Sequence, residues 1–131
     1  MAVAECIELP TKIVMRTIDK DTAVPYGTLM KLEDENTVVV SAANSDPFGG
    51  ICWVEHTASE GVTELTVAMN GRWSITATGA IPAGNAVSIG GADTCRLATE
   101  ADTIVGTIMG KNLNTIGGGG GTAIVEVGQL V

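Results

Sequence analysis

Apolar residues in this chain come in short, β-branched runs separated by Gly, Pro, Asn and Asp, the pattern of half-buried strands joined by tight turns. The runs predict strands over Lys12–Ile18, Thr28–Leu32, Thr37–Ala42, Gly50–Glu55, Thr63–Met69, Arg72–Thr76, Ala86–Ile89, Arg96–Thr99, Ile104–Met109 and Thr122–Val127. Pro25-Tyr26-Gly27, Asn70-Gly71, Pro82-Ala83-Gly84 and Gly90-Gly91 lie between them and carry turn chemistry. No segment keeps a 3.6-residue apolar period long enough for a helix. The expectation is an all-β fold.

The pattern also repeats. A shift of 57 positions lays Pro25 on Pro82, Gly27 on Gly84, Thr37 on Thr94, Gly49 on Gly106 and Ile51 on Ile108. Each half begins with an apolar residue, then P-x-G, then a strand: Val24-Pro25-Tyr26-Gly27-Thr28-Leu29-Met30 and Ile81-Pro82-Ala83-Gly84-Asn85-Ala86-Val87. Proline fixes φ and glycine supplies a conformation closed to other residues, so P-x-G forces a sharp entry into the strand. The glycine ahead of each shared isoleucine marks a bulge or a close backbone approach. The halves read as two copies of one β-unit, about 22–76 and 79–131, which pair into one small barrel or sandwich. Residues 1–21 stand before the first copy as an arm or a first strand.

The same succession resembles the small capsid decoration, or cement, proteins of tailed bacteriophages, some of which carry a misleading recombinase-like label. In the second half the matching residues are Ile81–Val87, Ile104-Val105-Gly106-Thr107-Ile108 and Ala123-Ile124-Val125-Glu126-Val127. The resemblance covers about residues 22–131. It implies a small β-barrel or β-tulip-like body, a homotrimer or other homo-oligomer, attachment to the major capsid protein on the outer face of the head, and no catalytic residues or cofactors. An acidic insertion, Glu33-Asp34-Glu35, and a longer last loop depart from the simplest members.

With 131 residues the chain is long enough for one domain and buries about two thirds of its unfolded surface without disulfides. Cys6, Cys52 and Cys95 are odd in number and read as small core or surface residues of a reduced, cytoplasmically made protein. The first residues lack the basic and apolar regions of a signal peptide, and no apolar run reaches membrane-spanning length, so no membrane partner is expected. The formal charge is −8, and residues 1–20 contribute nothing to it, because Glu5, Glu8 and Asp19 balance Lys12, Arg16 and Lys20. An acidic body repels phosphate backbones and argues against nucleic acid.

Candidate chemistry is sparse. Gly117–Gly121 lacks the lysine and the following helix of a phosphate-binding loop and reads as a connection between strands. Leu65, Val67 and Met69 have their counterparts 58 positions on, at Ala123, Val125 and Val127, so one extra residue is expected in the glycine run. Cys52 and His56 share a strand face but lack two further zinc ligands. No elbow motif supports a nucleophile. Tyr26, Phe48, Trp53 and Trp73 supply core or subunit contacts, or else the platform of a carbohydrate-binding or adhesion module on a head fibre. The strongest functional signal is ECIELPTKIVMRTI, residues 5–18. Its Ile7, Leu9, Lys12, Ile13, Met15, Arg16 and Ile18 are candidate capsid or subunit contacts. The segment either adds a strand to a neighbour's sheet or forms the first strand of this chain's own barrel.

Overall fold

A computed structural model describes residues 3–99 and 107–128. The protein is all-β, as the alternation predicts. Its strands are β1 (Glu5–Glu8), β2 (Ile13–Thr17), β3 (Leu29–Asp34), β4 (Thr37–Val40), β5 (Phe48–Cys52), β6 (Glu64–Ala68), β7 (Gly71–Ala77), β8 (Ala86–Ile89), β9 (Thr94–Leu97), β10 (Gly110–Asn112) and β11 (Gly121–Val127). A 3-10 turn, Ala58–Glu60, follows β5.

The two halves do not merge into one barrel: each closes on its own. The first barrel runs β2-β4-β3-β5-β6, and β6 returns to β2. The second runs β7-β9-β8-β10-β11, and β11 returns to β7. In both, the first strand lies parallel to the third, and every other neighbour is antiparallel. β2 to β6 therefore correspond in order to β7 to β11. The turn bonds repeat as well: Gly27 N donates to Cys52 O and Gly84 N to Asn112 O, while Val24 pairs with His56 and Ile81 with Ile116. Gly27 and Gly84 hold φ of +86° and +89°, the conformation that P-x-G requires.

Register corrects the 57-residue alignment beyond β9. Met30 pairs with Val40 as Val87 pairs with Leu97, an offset of 57. Met30 pairs with Gly50, but Val87 pairs with Gly110, an offset of 60. Cys52 pairs with Val67 as Asn112 pairs with Val125, which returns the offset to 58 on the last strand. Gly110 is thus the counterpart of Gly50, Met109 and not Gly106 falls on Gly49, and Ile108 precedes β10 instead of matching Ile51, whose place Lys111 takes. Of the strand expected over Ile104–Met109, residues 104–106 lie outside the described residues and Thr107–Met109 are not in a strand. Three extra residues enter between β9 and β10, and the glycine connection is two residues shorter than its counterpart, not one longer. The apolar spelling Ile104-Val105-Gly106-Thr107-Ile108 imitates a strand, whereas the strand itself, written Gly-Lys-Asn, offers no apolar alternation.

The barrels share a seam. Consecutive residues point to opposite faces of a strand. Met30, Cys52 and Val67 fill the first barrel with Ile18, Val24, Val38 and Leu65, while their neighbours Leu29, Ile51 and Ala68 turn outward into the core of the second. There they meet Trp73, Ile75, Val87, Val125 and Val127. On the polar side of the seam, Asp93 Oδ1 accepts from Leu29 N at 3.1 Å, Ser41 Oγ donates to Gly91 O at 3.0 Å, and Ser45 N donates to Ile89 O at 2.9 Å.

Candidate interaction surface

β1 and β2 form one side of a ribbon that crosses both barrels. β1 lies antiparallel on β7, and β2 lies antiparallel on β6, which continues into β7 through Met69 and Asn70. The segment from 5 to 18 pairs within its own chain: β2 is a stave of the first barrel, as the second of the two expected roles has it, and β1 adds to the edge of this chain's second barrel and not to a neighbour's sheet. Its bend is fixed by Asn70, whose Oδ1 accepts from Thr11 N (2.8 Å) and Lys12 N (2.9 Å) and whose Nδ2 donates to Thr11 Oγ1 (2.7 Å). Glu8 and Arg72 close an ion pair at 3.0 Å across β1 and β7.

The candidate contact residues divide by strand parity. Leu9 is 76% exposed, Ile7 49%, Met15 47% and Ile13 44%, and together they make an apolar line along the ribbon. Lys12 is exposed beside them. Arg16 is half-buried, with Nη1 donating to Asn36 Oδ1 at 3.0 Å. Ile18 is buried in the first core, so it is a packing residue and not part of any contact surface. Beyond Met15 lies a hollow of about 250 Å³, lined by Val54, Val62, Leu65 and the acids Glu55, Glu60 and Glu64.

The remaining candidates are absorbed by structure. His56 is buried where Ile116 sits in the second barrel, with Nδ1 2.6 Å from Thr22 O and Nε2 2.6 Å from Val62 O. A neutral ring donates to one of these carbonyls and an imidazolium to both. Cys52 Sγ faces the Val54 carbonyl at 3.2 Å, and burial, with Glu55 adding to it, pushes its thiol up to about 12. Burial takes Cys95 to about 12 as well. Among the described residues, no group of three or more His, Cys, Asp or Glu side chains is placed to hold a metal ion. Glu33, Asp34 and Glu35 are exposed at the β3–β4 hairpin. Tyr26, Trp53 and Trp73 form a triangle with ring centroids 6.0 Å apart at the junction of the barrels, and Trp73 is fully buried. Phe48 packs against the second core.

No family model and no curated protein matches the chain. Among the described residues, no helix is long and apolar enough to cross a membrane. The sequence reading missed β1 as a separate strand. Its four residues, Glu-Cys-Ile-Glu, place acids at both ends and alternate poorly, and their partner is the second barrel, 64 to 69 positions away. The Glu8–Arg72 charge pair was the one available signal.

Proposed function

We propose that the chain is a non-enzymatic virion protein, a decoration or cement protein that binds the outer surface of a phage head through the major capsid protein, as a homotrimer. The observation that carries this reading is the apolar line Ile7, Leu9, Ile13 and Met15, exposed along a charge-balanced segment on an otherwise acidic body. The resemblance of the P-x-G units to decoration proteins supports it. Binding to the assembled lattice alone stabilises the lattice by mass action, and several linked attachment points raise the effective concentration of each. The acidic barrels would face solvent.

The test is cosedimentation of the purified protein with undecorated heads. A double variant, Ile7→Asp with Leu9→Asp, removes exposed apolar surface without touching either core, so its circular dichroism and melting should match the parent. Its affinity for heads is expected to fall at least tenfold. Undiminished binding overturns the reading.

A further inference from the structure

The internal duplication shows an edge that a strand fills in one barrel and that, among the described residues, no strand fills in the other. On β7, Trp73 and Ile75 turn their backbone polar groups to β11, and Arg72 and Ser74 turn theirs the other way, where β1 pairs with them: Glu5 opposite Ser74 and Glu8 opposite Arg72. The corresponding strand is β2. Its register on β6, together with Met69 N donating to Lys12 O and Ile18 N to Thr63 O, directs the polar groups of residues 12, 14, 16 and 18 toward β6. Those of Ile13, Met15 and Thr17 therefore point away. Thr17 N is taken by Asn36 O at 2.7 Å, and β4 meets β2 only at Thr17. Ile13 and Met15 stand where Arg72 and Ser74 stand in the second barrel, and among the described residues no strand pairs with them on that side.

β1 cannot serve both edges. Its outer side is already capped, Cys6 N donating to Tyr26 OH at 3.2 Å and Ala4 N to Gly27 O at 2.9 Å. A bare edge flanked by exposed apolar side chains is a template for strand addition.

We infer that the open edge of β2 at Ile13 and Met15 accepts an extended segment of another protein, apolar at alternate positions and acidic at the end that meets Lys12. Main-chain pairing to Ile13 and Met15 orients the segment, and its apolar side chains cover theirs. The charge follows from distance. An added strand lies about 4.8 Å from β2, and β6 with Glu64 lies one strand further away. On β2 itself the flanking charges are Lys12 and Arg16; Arg16 is engaged by Asn36, with the acids Asp34 and Glu35 of the β3–β4 hairpin beside that end, whereas Lys12, at the other end, is exposed and makes no ion pair among the described residues. The filled edge follows the same rule, since β1 brings Glu8 to Arg72 at 3.0 Å. The inference does not depend on the capsid reading, because the donor is defined by its chemistry.

The test uses the full chain and a synthetic peptide copying residues 3–9 with Cys6→Ser, the one strand known to fit the equivalent edge. Amide exchange followed by NMR should show Ile13 and Met15 exchanging at least a hundredfold faster than Ser74 in the free protein. Saturating peptide should slow both at least tenfold and leave Ser74 unchanged. The same peptide N-methylated at alternate amides should not protect them, and Lys12→Glu should weaken binding several-fold. Protection of Ile13 and Met15 in the free monomer overturns the inference, as does peptide binding that leaves their exchange unchanged. Protection that appears only as the protein concentration rises, together with a larger sedimenting species, assigns the edge to a second copy and overturns the assignment to another protein.

Discussion

Cys52 and Cys95 are buried on opposite sides of the seam, one in each core, and their thiols are held protonated because a thiolate there would lose its hydration. Their ordinary value is 9.0 and the folded value is about 12. The sign follows from linkage: between those values the folded chain keeps protons that the unfolded chain has released. The contribution to stability is complete below about pH 9 and is lost as pH rises through 12. Urea midpoints measured from pH 7 to pH 11 should fall over the alkaline part of that range, and a Cys52→Ala, Cys95→Ala variant should fall less steeply. At pH 8 a thiol reagent should modify Cys6, which is only half-buried, and leave the other two untouched until the chain unfolds. Rapid labelling of all three in the native protein would contradict this placement.

At the level of elements, the glycine run shows what the sequence could and could not disclose. Its role as a connection between strands was legible, because a phosphate loop needs a lysine and a helix that Thr122-Ala123-Ile124-Val125 does not provide. Its register role was not, because Gly110-Lys111-Asn112 is too short and too polar to reveal where β10 lies, and the three-residue offset at β10 is visible only in the pairing of Gly110 with Val87. β2 was legible from its alternation, whereas β1 depended on a partner in the other barrel. The open edge of β2 was beyond reach altogether, since an unpaired edge is defined by neighbours. Within the run the glycines are not equivalent. Gly117, Gly118 and Gly119 have open space where a Cβ would stand, but Gly120 holds φ +80° and its Cβ would come within 2.5 Å of Ala77 O. Gly120→Ala should therefore cost more than about 1 kcal/mol by chemical denaturation, and Gly118→Ala should be neutral or slightly stabilising through a less flexible unfolded chain. Equal effects would mean that the turn is not held as described.

For the molecule as a whole, the seam decides whether two barrels amount to one folding unit. A barrel of this length standing alone buries only about 60% of its unfolded surface, which leaves it marginal. Leu29, Ile51 and Ala68 belong to strands of the first barrel by backbone and to the second core by side chain, so neither barrel can open without exposing part of the other. β6 and β7 add a covalent span with a single bend at Asn70-Gly71, braced by Asn70 against the β1–β2 bend. Calorimetry should then show one transition, with equal calorimetric and van't Hoff enthalpies of about 90 kcal/mol near 60 °C. Ile51→Ala removes buried volume from the seam and should cost about 2–5 kcal/mol, lowering the midpoint by roughly 10 °C while the transition stays single. Ile51→Asp should do more than lower it. A carboxylate between the barrels costs less if they separate, so the endotherm should broaden or split as the second barrel, stripped of its partner's side chains, melts first. Two resolved transitions in the parent chain would refute the shared core, and the barrels would then have to be treated as independent domains joined at Asn70.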